Sequence, residues 1–250
     1  MNVSKRLNRL ALMVTEGSRL ADVGTDHGYV PICLCSEKRI PSAIAMDINR
    51  GPLERAARHI QEAGFQAYIE TRLSDGLTSL RKGEADTILI AGMGGPLMEK
   101  ILSRGKEVLA TARELVLQPQ SEIDRVRRWL SDNGFRIAQE DIVLDEGKYY
   151  PMFRAVHGHE EPYSEVEYLY GKPELQKSVE VLLDFLQKNL EARYQIRKML
   201  PETESSRIEK RRREVEREIE GLEYMIKKYF LLDSKVAKAH ERNFHECPFE

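Results

Sequence analysis

Acidic, imidazole and phenol side chains gather around two glycines in the segment Leu20-Ala21-Asp22-Val23-Gly24-Thr25-Asp26-His27-Gly28-Tyr29. The apolar start of the segment reads as the end of a strand, and its glycines as the turn into a helix. That junction is the usual ligand position in an open α/β sheet. A dinucleotide turn of the form G-x-G-x-x-G keeps a glycine where the backbone must approach a pyrophosphate. Here Asp26 stands at that position, and its charge repels a diphosphate. The turn suits a cationic ligand instead. S-adenosyl-L-methionine carries an ammonium and a sulfonium but no phosphate, and is the expected cofactor.

Three further segments fit the same ligand. Asp47, in Ala45-Met46-Asp47-Ile48-Asn49, follows the glycine turn at the distance of about 20 residues from which an acid reaches ribose hydroxyls. Asp75-Gly76 is either an acceptor for an adenine amino group or an ordinary Asp-Gly turn. Ala91-Gly92-Met93-Gly94-Gly95-Pro96 holds three glycines in four residues, which cost backbone entropy. Close approach of a flat ligand to the backbone would explain them.

The elements that must position these residues follow from the apolar pattern. Strands are expected at Arg19–Val23, Ala43–Asp47, Ala67–Arg72, Thr87–Ala91, Leu115–Gln118, Arg136–Leu144 and Tyr150–Val156, with helices such as Gly51–Ala63 and Leu97–Ser103 between the early ones. This alternation implies βαβ units and a parallel sheet covered on both faces. Only Asp145-Glu146-Gly147-Lys148 separates the last two strands, which reads as a hairpin turn. The expected fold is therefore α/β, a Rossmann-like class I methyltransferase fold with an antiparallel terminal hairpin. It should occupy residues 1–158. The composition then changes. Gly171–Leu200 and Glu202–Leu231 are rich in Glu, Lys, Arg and Leu. Ile208, Val215, Leu222 and Tyr229 recur at seven, with Ile219 and Ile226 as the second seam position, and Val179, Leu183, Leu186 and Leu190 follow steps of four and three. These spacings predict an antiparallel coiled-coil hairpin over 159–232, with Pro201 opening its second helix. A disordered tail is expected over 233–250.

ADVGTDHGYVP, AMDINRGPLERA, RLSDGL, IAGMGGPLMEKIL and LVLQPQ together resemble the bacterial tRNA (adenine-N1)-methyltransferases that modify adenine 22. The resemblance covers roughly residues 1–231. It implies that Asp22, Gly24, Thr25, Asp26 and His27 line the methionine end of the cofactor. It also implies that Asp47 and Ile48 hold the ribose, that Asp75 and Gly76 hold the adenine, and that Gly92 and Met93 wall the cofactor from the target base. The Asn/Asp-Pro-Pro-Tyr motif of exocyclic amino-methyltransferases is missing, which fits attack by a ring nitrogen with an in-plane lone pair. Asp26 is the expected anion beside the base as it becomes cationic, with His27 and Tyr29 orienting it. Extrusion of the nucleotide calls for a clamp, for which Tyr29 and Met93 are candidates or else core residues.

Contacts to tRNA, the expected partner, are assigned to Lys5, Arg6 and Arg9 on an amphipathic first helix and to the run Lys210, Arg211, Arg212 and Arg213, which is otherwise a solvated face. The net charge of -2 gives no global sign of nucleic-acid binding. No apolar run approaches the ~20 residues that span a bilayer. Three cysteines argue against a disulfide framework and for a reducing compartment, the cytoplasm. Cys33 and Cys35 read as packing residues. No metal is expected, because His240, His245 and Cys247 lack a fourth ligand and a standard spacing, and no obligate protein partner is evident. The competing expectations are a methyltransferase of the same fold acting on another RNA, a protein or a metabolite, a non-catalytic RNA-binding protein, and a dinucleotide oxidoreductase, which Asp26 and the hairpin disfavour.

Overall fold

Apolar runs buried on both faces build the centre of the molecule. The computed structural model describes residues 4–201 and 205–232; the tail 233–250, with His240, His245 and Cys247, lies outside the described residues. In chain order the first elements are α1 (Lys5–Met13), β1 (Leu20–Val23), α2 (Tyr29–Ser36), β2 (Ala43–Asp47), α3 (Arg50–Glu62) and β3 (Ile69–Leu73). Then come β4 (Thr87–Met93), α4 (Gly95–Arg104), α5 (Lys106–Leu109), β5 (Glu114–Pro119), α6 (Ile123–Asp132), β6 (Phe135–Asp145) and β7 (Lys148–His157). Every residue of β1 and of β5 is buried, the signature of sheet strands covered on both sides.

The seven strands form one sheet in the order β3-β2-β1-β4-β5-β7-β6. All pairs from β3 to β5 are parallel, and β7 runs antiparallel to both β5 and β6. This is the Rossmann-like methyltransferase layout with its terminal hairpin. The hairpin turn is tight: Glu146 (φ 47°) and Gly147 (φ 78°) are both left-handed, as a two-residue turn between twisted strands requires. Strand order reverses between β1 and β4, which opens a crevice at their carboxyl ends. A fully buried ion pair, Arg127 to Glu140 at 2.6 Å, ties α6 to β6 beneath the Phe153 ring.

The chain parts into two compact units between Pro162 and Tyr163. The second contains α7 (Glu165–Tyr170), a 3-10 turn at Pro173–Leu175, α8 (Val179–Met199) and α9 (Ser206–Ile226), which widens into a π-helix at Lys227–Leu232. Arg193 pairs with Glu218 and Arg197 with Glu216, so α8 and α9 run antiparallel. The helical hairpin is thus present, with two corrections. Residues 171–178 are not α-helical: Gly171 (φ 89°) and Pro173 break the run, and α8 starts at Val179. The fully buried positions are Leu182 and Leu186 facing Val215, Ile219, Leu222 and Met225, whereas Leu183 and Ile226 are only half-buried. A third helix packs here as well. α7 packs on α9, where a side chain at Gly221 would meet Val166, and Tyr170 sets its ring edge-on to Phe185 at 5.8 Å. Six residues are too few to show a helical period. Their Ser164–Glu167 capping box, with both reciprocal bonds made, is the signal that marks them. Among the described residues no helix is long and apolar enough to cross a membrane.

Candidate active site

A cleft of about 440 Å³ lies at the carboxyl ends of β1 and β4. Its volume is in the range of small-molecule sites. The turn after β1 forms one wall. Gly24 takes φ 79°, and its N–H and that of Thr25 both donate to the Met46 carbonyl at the end of β2 (2.8 and 2.9 Å). Gly28 (φ 69°) caps α2, so Tyr29 stands in the first turn of that helix. Asp22, Gly24, Thr25, Asp26, His27 and Tyr29 all line the cleft, together with Gly92 and Arg6.

The acids of this wall differ. Asp22 is buried, and burial pushes its carboxyl up to about 6. A charge held there in the dry state is unfavourable, and a cation brought beside it would relieve the strain. Asp26 is exposed and accepts from Arg55 Nη2 at 2.6 Å. That bond holds its carboxyl below the usual range. Its other oxygen lies 3.2 Å from His27 Nε2. The rings of His27, Tyr29 and His59 lie 5.0–5.5 Å apart with planes within 14°, and His59 Nδ1 donates to the His27 carbonyl at 3.1 Å. Among the described residues the buried His27 Nδ1 has no hydrogen-bond partner, while the Thr25 side chain lies close enough to the Asp22 carboxyl to oppose part of its upward shift. Buried polar atoms are nearly always satisfied, so His27 Nδ1 is a polar contact point for a ligand of the cleft.

The opposite wall comes from β4, β5 and α1. A bulge between Ala91 and Met93 places Gly92 at φ 79°. A Cβ there would sit at ordinary contact distance, 3.6 Å from Arg6 Nη1 and 3.7 Å from Gln120 Nε2, so it is the left-handed backbone rather than lack of space that calls for glycine. The other two glycines answer to packing. A Cβ on Gly95 would fall 2.5 Å from the Glu122 carbonyl oxygen, and one on Gly94 would fall 3.0 Å from Ser121 Oγ. Of the three, only Gly92 lines the cleft, which corrects the reading that all serve a ligand.

Apart from Arg6, the remaining sequence-expected residues lie outside this lining. Asp47 ends β2 and accepts from the Asn49 N–H at 2.7 Å, with Ile48 exposed beside it. Asp75 pairs with Arg104 at 3.2 Å, and Gly76 packs on Ile101. Met93 packs against the face of Gly24. On the first helix, Lys5 is exposed, Arg6 donates to Gln118 at 2.8 Å and lies over Tyr150, and Arg9 pairs with buried Asp141 at 2.9 Å. In α9, Arg211 pairs with Glu214 at 3.2 Å and Arg212 donates to the Pro201 carbonyl at 2.8 Å. Lys210 and Arg213 are exposed. Sequence reasoning missed Arg55, His59 and Gln120. The spacing of Arg55 and His59, four apart on a helix, was the available signal for the first two.

Residues 3–153 match the model of the methyltransferase domain family. The Bacillus subtilis tRNA (adenine(22)-N(1))-methyltransferase is 37% identical over 158 residues, 63% of this chain. The match spans 66% of that relative's length. The solved structure of the Bacillus subtilis m1A22 tRNA methyltransferase superposes with a TM-score of 0.82 at 30% identity, covering 90% of this chain and 99% of that one. A Streptococcus pneumoniae protein described as a tRNA (m1A22) methyltransferase, in complex with S-adenosyl-L-methionine, gives 0.80 at 31% identity, covering 90% and 100%.

Proposed function

We infer the reaction from the family: the chain belongs to the tRNA methyltransferases that act on N1 of adenine 22, and it methylates that atom using S-adenosyl-L-methionine. The observation that carries this reading is the coincidence of the Asp22–Tyr29 turn with the cleft at the switch point of the sheet. When bound, the cofactor supplies an electrophilic methyl group on a sulfonium. Asp22 faces its ammonium, and Thr25 Oγ1 and His27 Nδ1 complete its polar contacts. Asp47 and Ile48 hold the ribose, Asp75 with Gly76 the adenine, and Gly92 and Met93 the boundary toward the target base.

Adenine N1 carries its lone pair in the ring plane, so the protein needs to orient the base rather than deprotonate it. His27, Tyr29 and His59 offer nearly parallel rings for that purpose. Asp26 stays anionic under the Arg55 guanidinium and stabilises the positive charge that develops on the ring. We assign catalysis to residues 1–158 and tRNA docking to Lys5, Arg6, Arg9 and, in the helical part 159–232, to Lys210, Arg211, Arg212 and Arg213. Arg9 and Arg211 are partly neutralised by Asp141 and Glu214, whereas Arg6 and Arg212 bond only to a neutral amide and a carbonyl, so Lys5, Arg6, Lys210, Arg212 and Arg213 carry most of the phosphate attraction. The enzyme works in the cytoplasm, where its substrate is.

The test uses an unmodified tRNA transcript and methyl-labelled cofactor. Digestion should give label in 1-methyladenosine only, and replacing adenine 22 by guanine should abolish it. Label in another nucleoside, or in protein alone, would overturn the assignment. Cofactor binding without transfer to any RNA would support the non-catalytic reading.

A further inference from the structure

Methylation at N1 constrains how the base is recognised. A hydrogen bond from the protein to N1 would occupy the lone pair that attacks, so the adenine must be identified on another edge. The N6 amino group and N7 form such an edge, one donor beside one acceptor. A carboxamide matches that pair with two bonds, whereas guanine presents two acceptors there.

The cleft lining contains one carboxamide, Gln120. Its backbone N–H donates to the Met93 carbonyl at 2.8 Å, which fixes the residue at the carboxyl end of β5 against the β4 bulge. Its Nε2 lies 3.7 Å from where a Cβ on Gly92 would be, so it stands on the wall assigned to the target base. The side chain is exposed, and no hydrogen bond to it is made by the described residues. The neighbouring amide is different. Gln118 is fully buried, accepts from Arg6 Nη1 at 2.8 Å and donates through Nε2 to the Pro119 carbonyl at 3.0 Å. Arg6 is itself held by that bond and by the Tyr150 ring. In Gln118-Pro119-Gln120, one amide is spent on the wall and the other is open to the cleft.

We propose that Gln120 is the specificity-determining residue for the target base, its carbonyl accepting from N6–H and its amide donating to N7 while N1 stays free. This rests on the adenine-N1 reading above. Arg6 and Gln118 bond to each other in the same wall.

The experiment compares two tRNA substrates that differ at position 22 alone, adenosine or 7-deazaadenosine, which replaces the N7 acceptor with C–H. Each is assayed with the parent, Gln120→Ala and Gln120→Glu, reading kcat/KM; taking the ratio between enzymes cancels the altered basicity of N1. Relative to Gln120→Ala, the parent should favour adenosine by on the order of 10-fold, the worth of one bond of a bidentate pair. Gln120→Glu should invert the preference, because its carboxylate repels the N7 lone pair. Cofactor affinity, read by calorimetry, should be within about twofold of the parent in both variants. An equal substrate ratio in the parent and Gln120→Ala would overturn the proposal, as would adenosine preference kept in Gln120→Glu. A parent that methylates neither substrate would instead sink the adenine-N1 reading.

Discussion

Asp22→Asn keeps the shape of the side chain at the centre of the cleft and removes its charge. Burial raises the Asp22 carboxyl from an ordinary 3.8 to about 6. Between those values the folded protein holds a proton that the unfolded chain has released. The contribution of this group to stability is therefore complete below 3.8 and is lost as pH rises through about 6. At 1.36 kcal/mol per pH unit the interval corresponds to ~3 kcal/mol. The buried amide of the variant keeps some desolvation cost, so this is an upper value. Denaturant unfolding of the cofactor-free protein from pH 4 to 8 measures it. The variant and parent curves should nearly coincide near pH 4 and separate through pH 6, with the variant more stable by up to ~3 kcal/mol above pH 7. The same substitution should weaken cofactor binding by roughly 1–3 kcal/mol, because the ammonium loses its partner. It should also abolish the proton release that accompanies binding to the parent below pH 6. A pH-independent stability difference would refute the account of Asp22 as a strained buried acid. Parental cofactor affinity in the variant would remove Asp22 from the site.

Arg127→Ala leaves Glu140 buried without its counter-charge and should cost about 3–5 kcal/mol in denaturant unfolding, while Arg127→Met with Glu140→Leu recovers most of it; a single-variant loss near zero would contradict the buried-pair reading. Gly95→Ala forces a Cβ to 2.5 Å from the Glu122 carbonyl and should destabilise by roughly 1–3 kcal/mol, with lowered activity as the α4 entry shifts; an unchanged thermal midpoint would show that the 121–122 loop yields freely. Lys210→Ser with Arg213→Ser should flatten the salt dependence of tRNA binding, each lost phosphate contact lowering the log–log slope by about 0.9, with cofactor affinity unchanged. Slopes equal to the parent's would return the run to a solvated face.

Much of the catalytic unit is legible in the sequence. β1 and β5 are buried on both faces, so apolar residues dominate them around Asp22, Glu114 and Gln118, and the strand-ending turns carry their glycines in plain view. Glu146-Gly147 announces the hairpin because only a left-handed pair closes so short a turn. Local conformation is written in local residues. The tertiary structure alone decides where distant segments meet. Asp26 is 29 residues from the Arg55 that holds it, and His27 is 32 from His59, distances over which sequence carries no spacing rule. Gly94 and Gly95 look like a ligand cradle until the loop after β5 is seen packed against them. In the helical unit the sequence gives the period of the apolar seam and most of its phase, with Leu186, Val215, Ile219 and Leu222 buried as expected, but it misses Leu182 and Met225. A helix knows its own repeat, whereas the full face it buries depends on every partner, and α7 packs on α9 as a third one.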